Sequence, residues 1–137
     1  MKSARIIIEG ENIRKIIDLL NRKENIHYQY DTKDVVILME EEHYMRIESN
    51  LLCVYIFNFT DEKTVKVEMH VGGGKGDWDF DFGAENKENR KMAHSIIEIC
   101  QQNSWSIIEI TPEDFKESLE RSATQQFMHS VLSRFMK

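Results

Sequence analysis

The sequence predicts an α+β domain, in which a mostly antiparallel meander sheet of about six strands carries three helices, chiefly on one face. Two observations lead there. Between Ile26 and Phe82 apolar residues recur with a period of two, the mark of half-buried strands. Outside that stretch, three segments near 11–23, 85–102 and 112–135 repeat apolar residues at helical spacing. With 137 residues, one proline and six glycines, the chain is read as a single domain, 1–137, without linker or repeat.

The elements follow in order. Ala4 to Ile8 is a short apolar run read as a strand, and Gly10-Glu11-Asn12 breaks it. Ile13, Ile16, Ile17 and Leu20 then form one face of a helix from about Glu11 to Lys23. Ile26, Tyr28 and Tyr30 alternate with His27 and Gln29, and Asp31-Thr32 signals a turn. Val35 to Met39 is a strand that the run Glu40-Glu41-Glu42 is expected to end, with Tyr44 to Ile47 as a further short strand. Leu51 to Phe59 is almost all apolar, which predicts a central strand covered on both faces. Val65, Val67, Met69 and Val71 alternate with polar residues, as do Trp78, Phe80 and Phe82 with Asp77, Asp79 and Asp81. A helix from about Glu85 to Gln102, a strand from Trp105 to Ile110 and a last helix beginning at Thr111-Pro112 complete the chain.

Charge and cysteine content bound the function. Eighteen basic against 24 acidic residues give a net charge of −6, which works against nucleic acid and anionic membrane as partners. No run is apolar enough for a membrane span or a secretory leader, so a cytoplasmic protein is expected. Cys53 and Cys100 each sit in an apolar run and are expected to stay buried and reduced. Asn58-Phe59-Thr60 matches a glycosylation sequon, incidental in that setting.

Motifs with chemistry are sparse. Gly72-Gly73-Gly74-Lys75-Gly76 lacks the serine or threonine and the following helix of a phosphate-binding loop, and reads as a flexible turn. No cofactor fingerprint occurs. Folding 65–71 against 78–82 as a hairpin pairs Val71 with Trp78, Met69 with Phe80 and Val67 with Phe82. That register sets His70 opposite Asp79 and Glu68 opposite Asp81. Facing carboxylates repel, and a hard divalent ion held by His70, Asp79, Glu68 and Asp81 would relieve the repulsion, as would Lys66 or a basic protein partner. The five histidines show no ligand or triad spacing. A pocket lined by Tyr28, Tyr30 and Tyr55 is a further candidate.

The last helix bears the ladder Phe115, Leu119, Ala123, Phe127, Val131 and Phe135, flanked by Met128, Leu132 and Met136. At 1.5 Å per residue it would be about 36 Å long, well beyond the ~13–15 Å radius of gyration of such a domain. It either breaks near 122–125 and packs on its own sheet, or projects and buries its stripe on another subunit. The functional expectation is a non-enzymatic binding or regulatory module acting as a homo-oligomer through this helix. The alternative is a small metal-dependent or small-molecule enzyme using the acidic face of the 63–83 hairpin.

Overall fold

The structure, a computed structural model, describes residues 2–44, 49–74 and 84–112. Those residues form six strands and two α-helices: β1 (Lys2–Glu9), α1 (Ile16–Lys23), β2 (Tyr28–Asp31), β3 (Val35–Tyr44), β4 (Ser49–Phe59), β5 (Thr64–Gly74), α2 (Ala84–Asn103) and β6 (Ser106–Thr111). A 3-10 turn, Ile13–Lys15, leads into α1, so the expected helix over 11–23 is present in two pieces. The third expected helix, 112–135, lies outside the described residues.

All strand pairs are antiparallel, and the sheet order is β2-β3-β4-β5-β1-β6. The α+β class and the six-stranded antiparallel sheet agree with the sequence, but the six strands are differently made. The expected strand at 35–39 runs on through the acidic run to Tyr44 as one strand, β3, because Glu40 is 4% exposed and continues the inward phase of Val36 and Leu38; the rest of the short strand expected at Tyr44–Ile47 lies outside the described residues. The first strand is no outlier to a meander. It pairs with β5 on one side, Ser3 opposite His70, and with β6 on the other, Arg5 opposite Thr111.

This insertion overturns the expected hairpin register. Both edges of β5 are taken, with Met69 facing Ala4 on β1 and Tyr55 on β4, so Val67, Met69 and Val71 do not pair with 78–82. Residues 78–82 themselves lie outside the described residues.

One face of the sheet is buried. Ala4, Ile6 and Ile8, then Leu51, Cys53, Tyr55, Phe57 and Phe59, then Val65, Val67, Met69 and Val71 form its rows. Onto these pack Ile13, Ile16, Ile17 and Leu20 of the first helical segment and Met92, Ala93, Ile96, Ile97 and Cys100 of α2. Polar contacts fix the two helices: Lys23 pairs with Glu98, Ser95 donates to Glu24, and Asn89 Nδ2 donates to the Met69 carbonyl at 3.3 Å. The central position expected for β4 is seen, with β3 and β5 on its two sides. Among the described residues both α-helices lie on one face of it, and on the other Leu52 is 48% exposed with Val54 and Ile56 intermediate.

The end of α2 shows how the last strand is aimed. Ser104 takes the left-handed conformation (φ 59°) and the Trp105 amide donates to the Cys100 carbonyl at 3.0 Å, closing the helix in the manner of a Schellman cap. Trp105 then turns inward and its indole donates to the Glu11 carbonyl at 2.8 Å. A Cβ on Gly10 would stand 2.1 Å from the indole Cδ1. Glycine is required there for close approach, and Gly10→Ala is expected to lower stability by about 1–3 kcal/mol through overpacking. Chemical denaturation of the variant checks this; an unchanged midpoint would mean that the indole is not seated against Gly10.

Candidate functional site

The helix-free face of the sheet is built in rows by the strand register. Arg5, Glu68, Ile56, Ile37 and Tyr30 form one row across β1, β5, β4, β3 and β2. Ser3, His70, Val54, Met39 and Tyr28 form the next. Leu52 extends the face beyond Val54, and Val35 extends it beyond Ile37. In these two rows the β5-β1 side is polar or charged and the β2-β3-β4 side is apolar; beyond them Ile7 adds an apolar group to the first side, and Asn58 and Glu41 bound the second.

On the charged half, Glu68 lies between two bases. Its Oε2 is 3.4 Å from His70 Nε2 and its Oε1 is 3.8 Å from Lys66 Nζ. His70 Nδ1 is 2.8 Å from the Ser3 hydroxyl, and Arg5 reaches Glu109 at 3.5 Å. The structure therefore brings together two of the four residues expected to hold a metal, His70 and Glu68. Asp79 and Asp81 lie outside the described residues, as does Asp77. Lys66, one of the three expected ways of relieving acid repulsion here, is in place. Among the described residues no group of three or more His, Cys, Asp or Glu side chains converges. A divalent ion at His70 and Glu68 would have to compete with Lys66 for the carboxylate. Titration with Zn²⁺ or Mn²⁺ is expected to leave the Tm essentially unchanged; a rise that grows with metal concentration and is absent from Glu68→Gln would establish the pair as ligands.

On the apolar half, Tyr28 and Tyr30 are 52% and 49% exposed. The expected three-tyrosine pocket does not form. Tyr28 and Tyr30 face away from the helices, whereas Tyr55 is buried beneath them, on the opposite side of the sheet. Period two sends Tyr55 inward with Cys53 and Phe57, and that phase alone could have separated the three.

The interior holds a polar group that the sequence did not announce. Glu40, Glu88, Asn89 and Ser95 are buried among the core residues. Burial first, and then the charges of Glu24, Glu40, Cys53 and Glu88, raise the Tyr55 phenol well above its usual range. Burial likewise pushes the Cys100 thiol up to about 12. Cys53 and Cys100 are both buried and are not joined in a disulfide, as expected. The signal for the buried acids was phase: Glu40 follows Val36 and Leu38 by twos, and Glu88 precedes Met92 by four.

These shifts set an alkaline limit. Neutral Tyr55 and Cys100 are favoured by the fold, while the unfolded chain ionises them near ordinary values, 10.0 and 9.0. Their contribution is complete below about pH 9 and is lost as pH rises toward 12. Stability is expected to fall over that window, with the Tyr55 phenolate absorbance appearing only on unfolding. Tyr55→Phe should shift the alkaline transition upward; phenolate formed by all four tyrosines in the folded protein would contradict the assignment.

A shallow cavity of about 280 Å³ lies beside the turn into α1, lined by Glu11, Asn12, Ile13, Arg14, Glu62 and Lys63. Its cations are engaged: Lys63 Nζ is 2.9 Å from Glu11, and Arg14 donates to the Lys33 carbonyl at 2.9 Å while its guanidinium lies 4.5 Å from the Phe59 ring centroid. No helix among the described residues is long and apolar enough to cross a membrane.

No family model matches the chain, and neither a curated protein nor a solved structure gives a significant match.

Proposed function

We propose that this chain is a non-enzymatic binding or regulatory module that works as a homo-oligomer, with the apolar half of its helix-free sheet face as the contact surface. One observation carries the proposal: Tyr28, Tyr30 and Leu52, each about half exposed, adjoin Ile37, Met39, Val54 and Ile56 on three neighbouring strands. Tyrosine and large aliphatic side chains at the centre of a patch are what protein interfaces use, and a charged margin beside them is the usual rim. Here the margin is Glu68, His70 and Lys66. The patch is a sheet face with two tyrosines and a leucine standing on it, which suits another protein surface better than a small molecule.

A second proposal rests on the contacts joining Ser3, His70 and Glu68, which suit a small enzyme on the charged half of the same face. The metal titration above separates the two for a metal-dependent activity. For the module, light scattering over a range of micromolar concentrations is the direct test. A mass of at least two chains is expected, falling to one chain in Ile37→Lys, where a charge would have to be buried between Tyr30 and Ile56 at the centre of the contact. A mass of one chain for the unaltered protein at every concentration would overturn the proposal.

A further inference from the structure

We infer that Ser3, His70 and Glu68 form a nucleophilic site for the hydrolysis of uncharged, apolar esters, an assignment that rests on the small-enzyme reading of this face given above. The strand register assembles the three. Ser3 on β1 stands opposite His70 on β5, and Glu68 precedes His70 by two residues on the same face. Ser3 Oγ lies 2.8 Å from His70 Nδ1, within the reach that a hydroxyl nucleophile needs of its base. On the other side of the ring, His70 Nε2 is 3.4 Å from Glu68 Oε2. That is the long end of a hydrogen bond, and catalytic pairs of this kind tighten when substrate binds. A carboxylate only accepts, so it draws the imidazole proton to Nε2 and leaves Nδ1 to accept from the Ser3 hydroxyl. Lys66 Nζ, 3.8 Å from Glu68 Oε1, engages the other oxygen of the same carboxylate. Ser3 is exposed and the His70 side chain is 31% exposed, so a substrate can reach both.

The reaction balances with these groups and water. Ser3 Oγ bonds to the ester carbonyl carbon and gives its proton to His70 Nδ1. The bond from that carbon to the alkoxide oxygen breaks, and the alcohol leaves with the proton. Water then gives a proton to Nδ1 and its oxygen to the acyl carbon, and the Ser3 oxygen recovers the proton as the acid departs. Arg5, two positions along β1 on the same face, offers a donor to the carbonyl oxygen as it gains charge. It holds Glu109 through Nη2, while its Nε is buried without a hydrogen-bond partner. The row through His70 sets the substrate class. It continues through Val54, Met39 and Tyr28, the first of them one strand spacing, about 4.8 Å, away. An apolar group laid across the strands therefore meets apolar side chains, and Glu68 beside the base opposes an anionic substrate.

The test uses the full-length protein with para-nitrophenyl butyrate, para-nitrophenyl acetate and a fluorophosphonate that labels nucleophilic serines. Peptide mass mapping is expected to find the fluorophosphonate on Ser3. The butyrate should be hydrolysed with a kcat/KM several-fold above that of the acetate. Ser3→Ala and His70→Ala should each lower kcat by about 100-fold or more. Added imidazole should restore part of the rate of His70→Ala and none of that of Ser3→Ala. Glu68 is a positioning residue, so Glu68→Gln should lower kcat with KM unchanged, and Glu68→Asp should recover part of the loss. Thermal melting of each variant separates lost chemistry from lost fold, and the label on the unaltered protein decides the nucleophile even where a variant unfolds. If Ser3→Ala keeps the full rate while His70→Ala loses it, the inference falls and the small enzyme stands, with His70 activating water directly. If neither substitution alters the rate and Ser3 takes no label, the inference and the enzyme reading of this face both fall. A preference for the acetate would overturn the apolar substrate class.

Discussion

The organising constraint is the insertion of β1 between β5 and β6. With β1 seated there, β5 becomes an interior strand with both ladders filled, and β6 becomes the edge. The chain from β5 to β6 then has to pass over β1, and it does so as α2. The chain from β1 to β2 has to pass over three strands to reach the opposite edge, and α1 lies on that path. Both crossings are on the side where Ile6, Val67, Phe57 and Val36 form a continuous apolar row. The core and, among the described residues, the lack of a helix on the other face are two results of the same pairing.

That face is not uniform, and the division follows strand identity. β5, β1 and β6 contribute Lys66, Glu68, His70, Ser3, Arg5 and Glu109, whose charges answer one another across the ladder. In the rows of Glu68 and His70, β2, β3 and β4 contribute only apolar or aromatic groups, with Asn58 beside Lys66 and Glu41 beside Leu52 at the two margins. An outward apolar residue on a single strand is ordinary for a soluble protein; three adjacent strands that agree are not. The agreement is a property of register, for a slip of one residue in β3 would turn Ile37 and Met39 inward and expose Val36 and Leu38.

Much of the architecture was legible in the sequence, because each element carries its own period. The strand at 4–8, the helices at 11–23 and 85–102 and the strand at 105–110 stand within a few residues of where their apolar spacing put them. What the spacing could not reveal was partnership. Nothing local to Val65–Val71 says that its neighbour is Ala4–Ile8 rather than the next alternating run, and nearest-in-sequence pairing led to the wrong hairpin. Local polarity also misled at Glu40-Glu41-Glu42, where three acids looked like the end of a strand although the first faces the core. For the candidate site, His70 and Glu68 were legible as a pair two residues apart on one strand. Their true companions, Ser3 and Arg5, were not, since they come from the far end of the chain. The open face of β4 was hidden for another reason: an apolar residue reads as buried whether a helix or a partner covers it.

The contact between Arg5 and Thr111 joins positions some hundred residues apart, and it carries a consequence for how the molecule comes into being. A chain emerging from a ribosome at about 5–20 residues per second would hold β1 ready for several seconds before its outer neighbour exists. Until then the row from Arg5 to Glu9 presents an unpaired edge, and Trp105 is not yet available to close over Gly10. Loop closure over that distance is entropically costly and makes such topologies slow to complete. During synthesis the half-made sheet therefore keeps an open edge along β1 until β6 has been made.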